Sequence, residues 1–255
     1  RGFELVLGHN NRIGKDWSYN LSLNMGYNKN EIIDMAGTEG PTSDSNIWNL
    51  EGYAISSYYG YVADGLFRSE EELKKGPLRT GNEKVGDIRY KDFDDDGKIT
   101  AAGDRKIIGN QMPKWTGGFN FSVSYKNFEL SGLLQGAFDA KRYYNGEASY
   151  AFFNSASCLN KHWDRWSEEN PNGNFPRLSL SSQTNNQMST FWLQDASYVR
   201  MKNLTLAYTL PSDLISRIGL SFAQVYLAGE NLFTISGLDK GLDPESGNSR
   251  GWSYS

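Results

Sequence analysis

From Trp17 to Tyr27 the chain alternates without a break. Trp17, Tyr19, Leu21, Leu23, Met25 and Tyr27 hold the odd positions, and Ser18, Asn20, Ser22, Asn24 and Gly26 the even ones. A period of two over this length excludes a helix and gives one strand an apolar and a polar face. The length suits a strand tilted across a bilayer, which takes about 9–11 residues. An aromatic at each end of the apolar row is what an interface girdle uses.

The pattern recurs. Phe119, Phe121, Val123 and Tyr125 alternate with Asn120, Ser122, Ser124 and Lys126. After Lys126-Asn127 the phase flips, so that Phe128, Leu130, Leu134 and Phe138 share a face with Gly132 and Gly136 between them. Two strands meeting at a polar pair predict a tight hairpin. Val199 and Met201 begin another strand, continued on shifted phase by Leu204, Leu206, Tyr208 and Leu210, which predicts a β-bulge near Lys202-Asn203. Val225 to Phe233 is a further strand, and Phe3, Leu5 and Leu7 open the chain with one more.

Connection lengths set the topology. His9 to Asp16, Lys126-Asn127 and Pro211 to Ser221 are short, the last with a helical turn started at Ser212 or Asp213. Between them, Asn28 to Thr116 and Asp139 to Ala196 are long. A soluble sandwich has no reason to keep its long connections at one end, whereas outer-membrane barrels pair short periplasmic turns with long outer loops. The reading is all-β: an antiparallel up-and-down transmembrane barrel segment with long extracellular loops. Loops this long in a compact domain are usually functional.

Composition excludes other classes. No stretch approaches the roughly 20 apolar residues of a membrane helix. A net charge of −4 leaves no basic footprint, so nucleic acid is not expected as a partner. Cys158 is the sole cysteine, which excludes an internal disulfide and any zinc spacing. Aromatic residues make 14% of the chain beside 27 Gly, a mixture suited to strands and turns. Enzyme signatures are lacking: there is no Gly-x-Ser-x-Gly, phosphate loop or His-Glu-x-x-His, and His9 and His162 fall in unrelated connections.

A series of phrases then carries a resemblance. Tyr58-Tyr59-Gly60-Tyr61-Val62-Ala63-Asp64-Gly65-Leu66-Phe67 precedes Glu70-Glu71-Glu72-Leu73, and Gly86-Asp87-Ile88-Arg89-Tyr90-Lys91-Asp92 precedes Asp96-Gly97-Lys98-Ile99-Thr100. Asp104-Arg105-Lys106-Ile107-Ile108-Gly109-Asn110 follows, then Pro113 to Gly118. Ser197-Tyr198-Val199-Arg200-Met201-Lys202-Asn203-Leu204, Tyr208-Thr209-Leu210-Pro211, Asn231-Leu232-Phe233-Thr234 and Gly241-Leu242-Asp243-Pro244-Glu245 complete the order. In this order they resemble the C-terminal part of SusC/RagA-family TonB-dependent outer-membrane transporters, over nearly the whole chain.

The resemblance implies a 22-stranded barrel, of which residues 1–255 are a partial barrel domain without the plug. Arg1-Gly2-Phe3-Glu4 carries no signal peptide, and the expected aromatic-ended last strand does not follow Gly251-Trp252-Ser253-Tyr254-Ser255, so an internal fragment is expected. Six recognised strands are too few to close such a barrel. The family implies import of glycans or peptides across a bacterial outer membrane. It also implies a SusD-like surface lipoprotein acting as a lid, energy from TonB, and no covalent chemistry.

Three groups of residues stand out as candidate sites. Asp92-Phe93-Asp94-Asp95-Asp96-Gly97-Lys98-Ile99-Thr100 has acids at loop positions 1, 3 and 5, Gly at 6 and Ile at 8. This fits a Ca2+ loop in which Asp92, Asp94 and Asp96 converge and the Lys98 carbonyl adds a ligand. Position 12 is Gly103 rather than an acid, and Asp104, one place late, closes the site only if the loop bulges. The bland alternative is an Asx-rich turn without metal.

The loop aromatics, chiefly Tyr143, Tyr144, Trp163, Trp166 and Trp192, with Tyr150, Phe152 and Phe153, are candidates for substrate or lipoprotein contact. Alternatively, they pack the loops into a cap. Arg200 and Lys202 interrupt an apolar strand and are expected to face the lumen or an interface, because a lipid-facing cation is expensive. Two competing readings remain: a soluble calcium-dependent carbohydrate-binding β-domain, and a β-sandwich glycoside hydrolase, for which Glu168-Glu169 gives no fixed carboxylate separation.

Overall fold

The computed structural model describes residues 1–42, 46–180 and 184–246, so the expected ending at residues 251–255 lies outside the described residues. The chain divides into two compact units.

The first unit is a continuous antiparallel sheet. Its strands are β1 (Gly2–Ile13), β2 (Trp17–Asn28), β3 (Trp115–Tyr125), β4 (Phe128–Phe138), β5 (Tyr198–Thr209), β6 (Gln224–Glu230) and the short β7 (Thr234–Ser236). The order is β1-β2-β3-β4-β5-β6, so each strand pairs with its sequence neighbour, and β7 continues the β6 side along β5. Two expected boundaries move. β1 runs on to Ile13, so the first turn is only Gly14-Lys15-Asp16 and His9 sits in a strand. β6 ends at Glu230, because Asn231, at φ 50°, breaks the ladder before β7 resumes it.

The register aligns the alternation of every strand. Tyr19, Val123, Leu130 and Leu206 fall in one cross-strand row, and Leu23, Phe119, Leu134 and Met201 in another. Leu5 faces Met25 and Leu7 faces Leu23. At the turn end Trp17, Tyr125, Phe128 and Tyr208 form a row, with ring centroids 4.4 Å apart for Trp17–Tyr125 and 4.6 Å for Phe128–Tyr208. At the other end Phe3, Tyr27, Trp115 and Phe138 do the same, with Tyr27 and Trp115 at 4.6 Å. Ten residues separate the two rows along β2. At about 3.3 Å per residue and a tilt near 40°, that spans about 25 Å, the height of an outer-membrane apolar band. The opposite face carries Asn20, Ser22, Asn24, Asn120, Ser122, Ser124, Glu129 and Gln135.

Local chemistry explains the regularity. Lys126, at φ 52°, makes the two-residue turn, and its amide donates to Asp16 O at 2.8 Å. Thr209 N donates to Asn127 O at 2.8 Å, which ties the hairpin ends side by side. Where glycine enters the apolar row, rings cover it: a Cβ on Gly132 would lie 2.8 Å from Phe121 Cζ, so Phe121 lies over its cross-strand partner. The pairing skips Lys202, as Leu133 faces Asn203 and Leu134 faces Met201, which is the expected bulge. Pro211 leads into the helical turns Ser212–Ile215 and Ser216–Ile218, closed by Gly219 at φ 78°.

The second unit is built from the long connections, which carry a core of their own. Gly40–Pro41, Ile47–Asn49, Ser57–Tyr61 and Arg105–Asn110 form a small sheet in that order. Ala63–Leu66 pairs with Ile88–Tyr90, and Lys141–Tyr143 with Leu193–Asp195. Helix Glu70–Lys75 is capped by Ser69 Oγ, which accepts from Glu72 N at 3.2 Å. Tyr58, Tyr61, Leu66, Ile88, Tyr90, Ile99, Tyr143, Tyr150, Met188 and Trp192 make the buried cluster. Burial of these six aromatic and four aliphatic side chains against one another favours an ordered arrangement of the long connections.

Candidate functional site

The acidic loop begins where the Ile88–Tyr90 strand ends. Among the described residues Asp92, Asp94 and Asp96 are the acids that converge, each offering a carboxylate oxygen within 4.8 Å of the others. Backbone amides shape the loop. Asp92 Oδ1 accepts from Asp95 N at 2.7 Å and Oδ2 from Gly97 N at 2.8 Å, while Asp96 Oδ1 accepts from Lys98 N at 2.7 Å. The reversal needs Asp95 at φ 58° and Gly97 at φ 80°.

Asp104 is placed differently from the other three acids. It is fully buried, and its two oxygens accept from Phe93 N and Thr100 N, both at 2.7 Å. It thereby clamps the two halves of the loop together. Gly103 is short for a steric reason: a Cβ there would run into the Asp94 carboxylate. A side chain at the twelfth position would therefore require the Asp94 carboxylate to shift.

The electrostatics suit a cation. Desolvation, with the negative charges of Asp96 and Asp104 close by, raises the Asp94 carboxyl above its ordinary value. Desolvation also acts against the Asp92 carboxylate, but the amides of Gly97 and Asp95 outweigh it and hold its pKa below the ordinary value. Three hard oxygen donors brought this close fit Ca2+.

Of the loop aromatics, Tyr143, Tyr144 and Trp192 are buried, and for these three the packing alternative describes their surroundings. The Tyr143 and Tyr150 hydroxyls bond to each other. Trp192 Nε1 donates to Asn185 O at 2.7 Å, and its ring meets Tyr150 edge-on. Trp166 is half-buried against Gly86, whose φ of 92° brings bare backbone up to the indole. Trp163 stands at 80% exposure in the turn Asn160–Asp164. That turn is held by His162, whose Nδ1 accepts from Leu159 N at 3.0 Å while Nε2 lies 2.9 Å from Ser149 O. In the sheet, Arg200 faces Gln135 on the polar side and donates from Nε to Thr234 Oγ1 at 2.8 Å. Lys202 is the bulged residue.

A buried polar network had no sequence signature. Asp87 lies 2.8 Å from Arg177 Nε and accepts from Arg177 Nη2 at 3.1 Å, Lys84 N at 2.9 Å and Asn185 Nδ2 at 2.8 Å. Asn185 Oδ1 accepts from Ile88 N, and Glu83 Oε1 accepts from the Thr184 hydroxyl, both at 2.9 Å. Asp87 sits inside one of the recognised phrases, yet its side-chain partners Arg177 and Asn185 lie 90 and 98 residues away. Nothing local in the sequence names them.

No protein-family model matches the chain. TonB-dependent receptors P3 and P26 of Formosa agariphila are each 29% identical to it over 257 residues, covering 96% and 97% of this chain. TonB-dependent receptor SusC of Bacteroides thetaiotaomicron is 25% identical over 96% of the chain. The chain spans about a quarter of the length of these curated relatives: 25% of P3, 26% of P26 and 24% of SusC. The fold matches that of the RagAB peptide transporter with a TM-score of 0.75 at 25% identity, covering 97% of this chain and 27% of that one. The RagAB peptide importer in its 'closed-closed' state gives 0.73. In sequence and fold the chain is therefore similar to SusC/RagA-type TonB-dependent receptors, and its sheet is a segment of an outer-membrane β-barrel wall.

Proposed function

We propose that this chain is part of the barrel wall and outer loops of a TonB-dependent importer that takes up glycans or peptides together with a SusD-like lipoprotein. The single observation that carries the reading is the sheet. One apolar face lies between two aromatic rows about 25 Å apart, with every short turn at one end and every long connection at the other. A soluble carbohydrate-binding domain or sandwich hydrolase has no use for such a face, where Leu7 is 54%, Phe128 51% and Leu227 75% exposed.

Both sheet edges, β1 and β6, end in unpaired backbone among the described residues. Lipid cannot satisfy those groups, which fits a partial barrel domain completed by further strands. The work assigned to the protein is binding, lid closure and gated passage, with energy delivered through TonB and no covalent step. Peptide as cargo is favoured by the likeness to the RagAB peptide transporter, and glycan is the other cargo that the family resemblance implies. Exposed Trp163 is the loop aromatic best placed for a partner or substrate contact.

The acidic loop is assigned Ca2+, held by Asp92, Asp94 and Asp96. The ion would neutralise three close carboxylates and stiffen the loop, and the Lys98 carbonyl and buried Asp104 complete or brace the site.

The test uses the full-length gene in its host. The protein should partition into the outer-membrane fraction and co-purify with a lipoprotein. Its deletion should abolish growth on one class of oligomer, peptide or glycan, and leave growth on the monomers intact. A water-soluble, detergent-free protein, or undiminished growth on both oligomer classes, refutes the reading.

A further inference from the structure

An open cleft of about 550 Å3 lies in the loop unit. Helix Glu70–Lys75 forms one wall, and strand Ile88–Tyr90 with its continuation Lys91-Asp92 forms the other. The volume falls in the range of small-ligand sites. Backbone bonds fix both walls. Ser69 caps the helix, Gly76 N donates to Glu72 O at 2.8 Å at its far end, and Lys91 N donates to Val62 O at 2.9 Å. Pro77 and the buried Tyr90 supply the apolar part of the lining. The Tyr90 hydroxyl is engaged elsewhere, donating to Thr184 O at 2.6 Å.

The charges of the cleft are only partly answered. Arg89 is satisfied: Nε and Nη2 donate to Asp64 O at 3.1 and 2.8 Å, and the guanidinium lies 3.3 Å from Asp64 Oδ2 and 3.6 Å from Glu72 Oε2. Lys75, Lys91 and Glu71 are not. Among the described residues these three side chains have no ion pair or hydrogen bond, although Glu71 and Lys75 sit one helical turn apart on the same face. Asp92 is committed to the amides of the acidic loop. Without it, the acids Asp64, Glu71 and Glu72 balance the cations Lys75, Arg89 and Lys91. The lining is neutral in sum and separated in detail.

We infer that this cleft binds a short peptide by its charged termini, the carboxylate at Lys75 and Lys91 and the ammonium at Glu71. A neutral glycan brings hydroxyls but no charge to answer the free ions. An acidic glycan answers the lysines, yet it sets further negative charge beside Glu71, Asp64 and Glu72. A zwitterion satisfies both signs with charge-assisted hydrogen bonds, and Pro77 and Tyr90 take its apolar atoms.

The inference rests on the import reading, which it narrows to peptide at this cleft, and the two fail separately. Hydrogen exchange of the detergent-purified full-length protein reads the cleft directly. Tetra-alanine at about ten times its dissociation constant should slow exchange of residues 70–77 and 88–92 about tenfold. Blocking both ends, as N-acetyl-tetra-alanine amide, should weaken binding roughly tenfold, and so should Lys75→Gln combined with Lys91→Gln. The blocked peptide is tested on the unaltered chain, so that arm stands even if the double variant misfolds.

Unchanged exchange at those residues, or equal affinity for the blocked peptide, overturns the inference. A folded double variant that binds tetra-alanine as tightly as the unaltered chain does so too. Equal protection by maltotetraose or by tetragalacturonate also overturns it, since the cleft then belongs to a glycan. The import reading is judged by the outer-membrane fraction and by growth on oligomers. A protein that passes there without protection by tetra-alanine remains an importer and loses the cleft.

Discussion

Asp87→Asn is the sharpest test of how the loop unit holds together. The carboxylate is nearly inaccessible, with its side chain at 3% exposure and that of Arg177 at 25%. Oδ1 meets Arg177 Nε and Asn185 Nδ2, and Oδ2 meets Lys84 N and Arg177 Nη2. An asparagine of the same shape must turn its NH2 toward one of these donor pairs. Two of four contacts become repulsive, and the guanidinium loses its counter-charge. Breaking a buried ion pair from one side costs about 3–5 kcal/mol. Discounted because a quarter of Arg177 reaches solvent, the expected loss is about 2–3 kcal/mol. Hydrogen exchange of the full-length protein reads it locally. Amides of Ile88–Tyr90 and of residues 184–192 should exchange roughly 30- to 150-fold faster, at 1.36 kcal/mol per decade. Arg177→Gln in the same chain should recover part of the loss, because it removes the stranded charge. Protection within threefold of wild type in Asp87→Asn refutes the reasoning, as does strict additivity in the double variant.

Other expectations follow from the same geometry. Leu21→Arg should destabilise the inserted barrel by about 2–4 kcal/mol in a denaturant titration, while Ser22→Arg, one residue on, should cost less than 1 kcal/mol; equal costs would mean that the faces are wrongly assigned. Burial, aided by the Lys161 charge, lowers the His162 pKa below its ordinary 6.5, against the pull of the Ser149 carbonyl and of Asp239. Below pH 6.5 the opened turn takes up a proton that the closed turn refuses, so protection of residues 159–165 should fall with acidification and level off below the folded pKa. A flat profile between pH 7.5 and 5 removes that account. For the acidic loop, Ca2+ should slow exchange of residues 92–104 at least tenfold, chelation should reverse it, and Asp94→Asn should abolish most of the effect. Equal exchange with and without Ca2+ dismisses the metal.

The sheet was legible because its rule is local. Alternation fixes which face each residue takes, and a two-residue polar turn fixes register, so Trp17–Tyr27 and the Lys126-Asn127 hairpin read directly. Even the bulge at Lys202 left a phase shift in the sequence. Where apolarity lapses, the signal fails: His9 and Asn11 broke the pattern of β1 and disguised its second half as a connection. In the loop unit the rule is non-local. Tyr143, Tyr144, Trp163 and Trp192 are the same kinds of residue in the same stretch of chain, yet three are core and one is surface. The difference is made by segments such as Ser57–Tyr61 and Ile88–Tyr90, brought in from far along the chain. The acidic loop lies between these cases. Its three converging acids follow from spacing, but the clamp role of Asp104 depends on the amides of Phe93 and Thr100, which spacing does not reveal. Substrate choice in such a protein would belong to the non-local part, since the exposed Trp163 is held by His162 and Ser149, and these by the aromatic core beneath them. Changes to that core should therefore alter recognition without touching a contact residue.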